Sequence, residues 1–188
     1  VLAAGKGTRM KSNKAKVLHL LAGRPIIRYV IETALNVVGY NIVVVIGNQA
    51  EAVRQAVAKT ADVLFAYQEV QLGTGHAVQC ALPSVPPNIK NVIILCGDVP
   101  LITAETLDAL VAAHLNARNT ITLLGVNLDN PTGYGRLVID NSGAVQKIVE
   151  EADATAAEKS ITTVNSGIYC INSEFLANAI KQLNSNNA

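Results

Sequence analysis

The sequence predicts an α/β protein in which a mixed, mostly parallel sheet is flanked by helices in a Rossmann-like arrangement. Runs that are apolar at every position, such as residues 42–46 and 92–95, are typical of strands covered on both faces. Helical patterns separate these runs, and such alternation implies parallel strands joined by right-handed crossovers. After residue 120 the chain changes to successive strands, so we expect the sheet to be mixed.

The first half of the chain alternates strand and helix. Strands are predicted where the chain begins and at residues 42–46, 63–66 and 92–95. Helices are predicted at residues 25–38, 48–59, 72–82 and 103–116. Pro25 suits the first turn of the first helix, and Gly39 suits its end. Asn48 followed by Glu51 indicates a capping arrangement for the second helix, and Pro83 stops the third.

The second half is predicted to be richer in strands. These strands cover residues 121–126, 136–139, 144–149 and 164–171, and a last helix covers 174–183. The sequence Asp-Asn-Ser-Gly at residues 140–143 is a strong hairpin turn. The change from alternating strands and helices to successive strands suggests two parts of a single domain, residues 1–118 and 119–188. One continuous mixed sheet without such a division is an equal alternative.

Composition limits the class of protein. A length of 188 residues suits one domain with a full core, and 50% hydrophobic with 15% charged residues argues against disorder. The net charge of +1 gives no support for a nucleic-acid partner or a membrane surface, and no apolar run approaches a membrane span. The three scattered cysteines fit reduced thiols in a cytoplasmic protein better than a disulfide framework.

Both ends of the chain look truncated. Residues 1–4 begin inside a predicted strand, and residues 184–188 carry no pattern that terminates a fold. We therefore expect the natural chain to extend beyond both ends.

The most informative segment is the glycine-rich turn at residues 1–10. Gly5 and Gly7 let the backbone approach a ligand closely, while Lys6 and Arg9 with exposed amides favour phosphate. The spacing is not that of a P-loop, and Met10 stands where a dinucleotide fingerprint needs a third glycine. The alternative is a solvated strand-to-helix turn. We therefore expect a phosphate-handling loop of another kind.

A lone carboxylate follows the buried strand at residues 92–95. Ligands of open α/β sheets lie beyond the carboxyl ends of strands, which is where Asp98 stands. One carboxylate beside phosphates is what Mg²⁺ needs, since phosphate oxygens and water complete its shell. A turn before Pro100 is the alternative reading of Asp98.

A third segment, residues 68–77, combines carboxamides with a Gly-Thr pair. The carboxamide of Gln68 offers both a donor and an acceptor, so it can read the edge of a base such as uracil. Gly73 and Thr74 can approach the base through their backbone. The alternative is a Gly-Thr helix cap, and His76 is interpreted as a hydrogen-bonded residue of the first helical turn.

Other candidates are weaker alone. The loop at residues 131–136 with Gly135, together with Glu150 and Asn165, could offer an amide, a carboxylate and a carboxamide to sugar hydroxyls. Lys16 lies in the same region as the glycine-rich turn, so a phosphate role is reasonable, although most lysines are simply solvated.

Taken in order, these segments resemble the sugar-1-phosphate nucleotidyltransferases. The opening residues 2–10 are shared widely in that superfamily, whereas residues 71–77 and 129–136 resemble its uridylyl-transferring members. The resemblance covers essentially the whole chain. It implies a fold of the nucleotide-diphospho-sugar transferase type and the conversion of UTP and N-acetylglucosamine-1-phosphate to UDP-N-acetylglucosamine and pyrophosphate.

The resemblance also implies a role for each site residue. Contact with the nucleotide would come from Leu2, Ala3, Ala4 and Gly5, phosphate binding and catalysis from Arg9 and Lys16, and uracil recognition from Gln68, Gly73 and Thr74. Cys96 and Gly97 would lie beside the ribose, Asp98 would bind Mg²⁺, and Gly135, Glu150 and Asn165 would hold the N-acetylglucosamine moiety. The nucleotide would then belong to residues 1–118 and the sugar to residues 119–188.

The sequence departs from the family pattern at several points. Ala15 stands where proline usually precedes the lysine, and Cys96 stands where tyrosine is usual. The family's second Mg²⁺ ligand, an asparagine, lies beyond the last residue of this chain. An acetyltransferase half, a β-helix that builds a trimer, is also outside it, so a trimer is expected only of a longer protein.

Two other functions stay open at this point. One is a sister enzyme that uses another nucleotide or sugar. The other is a nucleotide-binding domain that does not catalyse the transfer.

Overall fold

The computed structural model describes residues 1–7 and 10–182. The strands are β1 (Leu20–Leu21), β2 (Arg24–Pro25), β3 (Val43–Ile46), β4 (Leu64–Tyr67), β5 (Asn91–Ile94), β6 (Ile121–Asn127), β7 (Arg136–Ile139), β8 (Val145–Val149) and β9 (Thr163–Asn172). The α-helices are α1 (Ile26–Val38), α2 (Ala50–Ala58), α3 (Thr74–Ala81), α4 (Ala104–Asn116), α5 (Ala156–Lys159) and α6 (Ser173–Ala179). Single 3₁₀ turns cover Lys16–Leu18, Leu82–Ser84 and Ile180–Gln182.

The first half of the sheet is parallel. Strands β3 and β4 pair in parallel over their full length. The opening segment continues this sheet, because Leu2 makes parallel bridges to both Val45 and Cys96. Its amide donates to the carbonyl of Leu95 at 2.8 Å, and its own carbonyl accepts from the Gly97 amide at 2.9 Å. The turn after residue 4 and the segment after β5 therefore emerge at the same edge of the sheet.

The second half of the sheet is antiparallel and centres on β9. This strand pairs antiparallel with both β5 and β6, and it meets β7 where Arg136 lies opposite Val164. Strands β7 and β8 form the predicted hairpin. The predicted mixed α/β fold is confirmed, but the expectation of a mostly parallel sheet is wrong. The parallel pairings are confined to the first half, because β9 runs antiparallel to β5, β6 and β7.

The core lies between the parallel strands and the helices that cover them. Val44, Val45 and Ile46 are all buried, which agrees with a strand covered on both faces. Helix α1 contributes Ile27, Val30 and Ile31, whose spacing of three and four residues places them on one face. The buried residues of β3 and α1 thus support the edge of the sheet where the opening turn emerges.

The predicted cap of the second helix is wrong. Helix α2 has Gln49 as its N-cap, with a left-handed φ of 52° and no side-chain cap bond. The Gln49 carboxamide instead accepts from the amide of Ala15 at 3.1 Å and donates to the carbonyl of Asn13. A contact with the segment before Lys16 has replaced the local cap that Asn48 and Glu51 suggested.

Two other boundaries differ from expectation. Helix α3 begins at Thr74 rather than at residue 72, because Gly73 has a φ of 103° that a helix cannot contain. The short helix α5 was not predicted, although Thr155 and Glu158 form a capping box there. The last predicted helix divides into α6 and a 3₁₀ turn, and residues 183–188 lie outside the described part of the chain.

A mostly apolar cavity of about 590 Å³ lies between β3 and β5 on the side of the sheet away from the opening turn. It is lined by residues of α1, α3 and α4 and by strand residues such as Val43 and Val92. Within residues 1–7 and 10–182, no helix has the length and apolarity needed to span a membrane.

Candidate functional site

A pocket of about 350 Å³ opens where the parallel strands end. It gathers most of the residues predicted to contact the nucleotide: Leu2, Ala3, Ala4, Gly5, Lys16, Gln68, Gly73, Thr74, Cys96 and Asp98. Gly7 of the glycine-rich turn also lines the pocket, together with three residues that were not assigned a role from the sequence, namely Val17, Gln71 and Ala77. Segments that are distant along the chain therefore meet at one edge of the sheet, as ligand sites of open α/β folds do.

Lys16 is held at this pocket by the turn that carries it. Its neighbours Val17 and Leu18 are buried, so the 3₁₀ turn Lys16–Leu18 is anchored in the core while the ammonium group reaches outward. A Cβ added at Gly7 would lie 2.7 Å from the Lys16 Cβ. Since Gly7 also has a φ of +62°, only glycine fits where the opening turn passes the lysine.

Asp98 faces Lys16 across the pocket, and the two side chains form an ion pair. The side chain of Asp98 is 26% exposed and that of Lys16 is 46% exposed, so both can reach a ligand. Asp98 lies four residues beyond the end of β5, and the bond from the Gly97 amide to Leu2 fixes the backbone before it. A Cβ at Gly97 would lie 3.0 Å from the Leu2 carbonyl, so these segments are in close contact.

The Cys96 thiol lies beside this pair. Burial raises the pKa of Cys96, and the nearby Asp98 carboxylate raises it further. The thiol is therefore neutral near pH 7, and its Sγ contacts the carbonyl of Gly167 at 3.6 Å. Cys96 acts as a small packing group between β5 and β9 rather than as a nucleophile.

Gln68 is only 3% exposed, and its carboxamide has a defined orientation. Nε2 donates to the carbonyl of Gly73 at 3.0 Å and contacts Nδ1 of His76 at 3.0 Å. Because a carbonyl cannot donate, the atom facing Gly73 must be the nitrogen, and both of its hydrogens are then used. No bond to Oε1 occurs among the residues the structure describes, so Gln68 presents an acceptor at the pocket.

His76 therefore does more than the sequence indicated. It is hydrogen-bonded in the first turn of α3, as expected, but its partner is the side chain that lines the pocket. With Nδ1 as the acceptor, the ring proton lies on Nε2, which contacts the Cys80 sulfur at 3.9 Å. The spacing of eight residues between Gln68 and His76 gave no signal of this contact.

The residues proposed for the sugar also meet. The amide of Asn165 donates to the carbonyl of Gly135 at 2.8 Å, and a Cβ at Gly135 would lie 2.9 Å from Oε1 of Glu150. These three residues do not line the 350 Å³ pocket. They are joined to it through Gly167, whose amide donates to Asn165 Oδ1 at 3.0 Å and whose carbonyl contacts Cys96.

A buried arginine supports the loop that carries Gly135. Arg136 is 2% exposed, donates to the carbonyl of Tyr134 and pairs with Glu151 at 2.7 Å. Glu151 also accepts from the Gly133 amide at 3.1 Å, and these bonds lower its pKa. The sequence gave no sign of this pair, because Glu151 lies 15 residues further along the chain.

Among the described residues of this pocket, Asp98 is a carboxylate that could serve as a ligand of a divalent cation. The described residues contain no cluster of three or more His, Cys, Asp or Glu side chains that could hold an ion unaided. Mg²⁺ takes one or two carboxylates together with phosphate oxygens, so Asp98 beside a phosphate loop is a suitable donor. Arg9, predicted to bind phosphate in the same loop, lies outside the described residues.

The sequence matches the MobA-like NTP transferase domain over residues 1–163. Among curated proteins, it is 52% identical over 188 residues to the bifunctional protein GlmU of Geotalea uraniireducens and 48% identical to that of Geobacter sulfurreducens. Both matches cover 100% of this chain but only 41% and 40% of the relatives. The chain thus spans about two fifths of the length of these relatives.

Solved structures share the fold at low sequence identity. HddC from Yersinia pseudotuberculosis superposes with a TM-score of 0.74 at 22% identity, covering 94% of this chain and 77% of that one. The 4-diphosphocytidyl-2C-methyl-D-erythritol synthase from Anaerococcus prevotii gives a TM-score of 0.65 at 14% identity, covering 96% and 73%. At these identities the likeness concerns the fold alone, and it agrees with the predicted fold class.

Proposed function

Since the chain belongs to the MobA-like NTP transferase domain family, we propose that it transfers the uridylyl group of UTP to N-acetylglucosamine-1-phosphate. The products are UDP-N-acetylglucosamine and pyrophosphate. The observation that carries this proposal is the pocket itself, where the opening turn, Lys16 with Asp98, and the free acceptor of Gln68 lie together. These groups suit phosphates and a base at opposite ends of one ligand.

The choice of uridylyl transfer rests on two supports. Relatives at 45–52% identity across the whole chain are named bifunctional protein GlmU, and this chain matches the part of them that carries an NTP transferase domain. The acceptor presented by Gln68 suits the N3–H donor of uracil. Cytosine has an acceptor at N3, so the same oxygen would repel it.

The reaction needs no protein nucleophile. An oxygen of the sugar phosphate attacks the α-phosphorus of UTP and forms the new P–O bond, while the bond from that phosphorus to the bridging oxygen breaks. Pyrophosphate leaves with the electron pair. Both reactants are anions, so the protein must hold them in line and neutralise charge. The neutral thiol of Cys96 agrees with a mechanism of this kind.

Lys16 and Asp98 have different electrostatic roles in this proposal. Asp98 is the residue that would hold Mg²⁺, which when bound supplies charge neutralisation to the phosphates. Lys16, no longer needed by Asp98, donates to the phosphates and stabilises the departing pyrophosphate. Arg9 is proposed to do the same from the opening turn. Residues 2–5 contact the nucleotide from the strand side, although the amides of Leu2 and Ala3 already donate to Leu95 and Val45 within the sheet.

The sugar is assigned to the second part of the chain. Gly135, Glu150 and Asn165 offer an amide, a carboxylate and a carboxamide within one small region. This region adjoins Cys96 through Gly167, so a sugar held there lies next to the nucleotide pocket. On this proposal residues 1–118 bind the nucleotide and residues 119–188 bind the sugar.

Binding and turnover should be measured separately on this chain. We expect calorimetry to show UTP bound more tightly than CTP or GTP, and pyrophosphate release to require both Mg²⁺ and N-acetylglucosamine-1-phosphate. Binding of UTP without pyrophosphate release would identify a nucleotide-binding domain instead. Equal binding of the nucleotides, or a preference for another one, would contradict the proposal.

A further inference from the structure

The side chains of Asn165 and Tyr169 are hydrogen-bonded to each other within strand β9. Nδ2 of Asn165 donates to the Tyr169 hydroxyl at 2.7 Å, and the hydroxyl donates to Oδ1 of Asn165 at 3.0 Å. Residues four apart in a regular strand are separated by about 13 Å, so this contact is unusual. It needs a local distortion of the strand.

A bulge at Gly167 provides that distortion. Leu123 of β6 lies opposite Tyr169 and Gly125 opposite Asn165, so one residue of β6 faces three residues of β9. Gly167 has a φ of +75°, which side chains rarely adopt. A Cβ there would also lie 3.1 Å from the Cys96 sulfur. The bulge folds Tyr169 back toward Asn165.

These contacts fix the orientation of the Asn165 carboxamide. The Gly167 amide donates to Oδ1 at 3.0 Å, so that atom must be the oxygen. Oδ1 then accepts two hydrogen bonds, which is its full capacity. Nδ2 donates one hydrogen to the Tyr169 hydroxyl. Among the residues that the structure describes, its second hydrogen has no acceptor.

The surroundings keep Tyr169 in its protonated form. Burial is the main cause that raises the pKa of Tyr169, and the nearby Cys96 and Glu150 raise it further. The hydroxyl therefore remains a donor to Oδ1 at neutral pH. Both Cys96 and Glu150 belong to the proposed site, so Tyr169 lies between its nucleotide and sugar parts.

We propose that Tyr169 is a positioning residue that aims the free N–H of Asn165 at an oxygen acceptor of the sugar. Without the hydroxyl, the carboxamide keeps only the bond from Gly167 and can rotate. Tyr169 itself needs no contact with the ligand. This inference rests on the proposed function of Asn165, and its test separates the two.

The test measures the affinities for UDP-N-acetylglucosamine and for UDP, and their ratio is the preference for the sugar. This ratio isolates the contribution of the sugar, and its measurement needs no turnover. We expect Tyr169→Phe to lower this preference about 3- to 10-fold, the range for one lost hydrogen bond, and to leave the affinity for UDP unchanged. Asn165→Ala should lower the preference at least as much. In the double variant, Tyr169→Phe should add nothing, because its effect passes through Asn165.

Tyr40→Phe is the matched control, since Tyr40 is 74% exposed in the turn after α1. Phenylalanine keeps the ring that packs near Ile171, and a thermal unfolding curve checks the fold. A second readout is the pair of Asn165 side-chain amide signals in a ¹⁵N spectrum of the ligand-free protein. They should be sharp and slow to exchange with solvent in the wild type, whereas in Tyr169→Phe they should exchange faster and shift toward the values of an unrestrained carboxamide.

The outcomes are distinct. If Asn165→Ala lowers the preference and Tyr169→Phe does not, the positioning role is wrong while the proposed sugar site stands. Additive losses in the double variant would likewise overturn it, since Tyr169 would then act independently. If the wild type shows no preference, or Asn165→Ala does not change it, the assignment of Asn165 to the sugar fails, and this inference fails with it.

Discussion

The ammonium group of Lys16 forms an ion pair with the carboxylate of Asp98 at the mouth of the pocket. Both groups are partly exposed, and such pairs contribute between about 0 and 1 kcal/mol to stability. The pair therefore does little for the fold. Its position at the meeting point of the opening turn and β5 suggests that each partner is held ready for a ligand.

The first prediction concerns Asp98. We expect Asp98→Asn to reduce the rate of pyrophosphate release by about 10²–10³-fold, because a charge that acts on the phosphates is lost. The midpoint of thermal unfolding should hardly change. Lys147→Ala is the control, since Lys147 pairs with Glu158 at 2.7 Å in a similar partly exposed setting outside the pocket. An unaltered rate in an otherwise active protein would exclude a role for Asp98.

The second prediction concerns base selectivity. Gln68→Met keeps an unbranched side chain of similar volume but removes the acceptor that faces the pocket. We expect the preference for UTP over CTP to fall about 10-fold or more, because a base donor then loses its partner. Gln79→Met, an exposed change on α3, should leave the preference as it is. Calorimetric titration with UTP and CTP measures this preference. If Gln68→Met leaves the preference unchanged, another group recognises the base.

Much of the parallel half could be predicted from the sequence. The run at residues 42–46 is apolar throughout because β3 is covered on both faces, and the carboxylate of Asp98 lies where the rule for strand ends puts it. These features are encoded locally, in periodicity and in the residue that follows a strand.

Contacts between distant segments could not be predicted in this way. The Gln49 side chain accepts a hydrogen bond from Ala15 instead of capping its own helix, and the orientation of the Gln68 carboxamide depends on His76. The bulge that brings Tyr169 to Asn165 depends on how β9 fits between β5 and β6. In each case the partner is chosen by the packing of whole elements, which no local pattern records.

The third prediction compares Gly47, which packs against the Gln68 segment, with Gly135 of the proposed sugar site. A Cβ at Gly47 would lie 2.7 Å from the backbone carbonyl of Gln68 and 3.0 Å from the Ala4 Cβ, neither of which can easily move. A Cβ at Gly135 would instead lie 2.9 Å from the end of the flexible Glu150 side chain. We expect Gly47→Ala to lower the free energy of unfolding by about 1–3 kcal/mol and Gly135→Ala by less.

Urea unfolding of the two variants measures this difference. Gly135→Ala should also weaken binding of UDP-N-acetylglucosamine relative to UDP, since the displaced Glu150 carboxylate is part of the proposed sugar site. If both variants lose the same stability, the backbone at Gln68 moves away from an added Cβ as easily as the Glu150 side chain does, and the prediction is wrong.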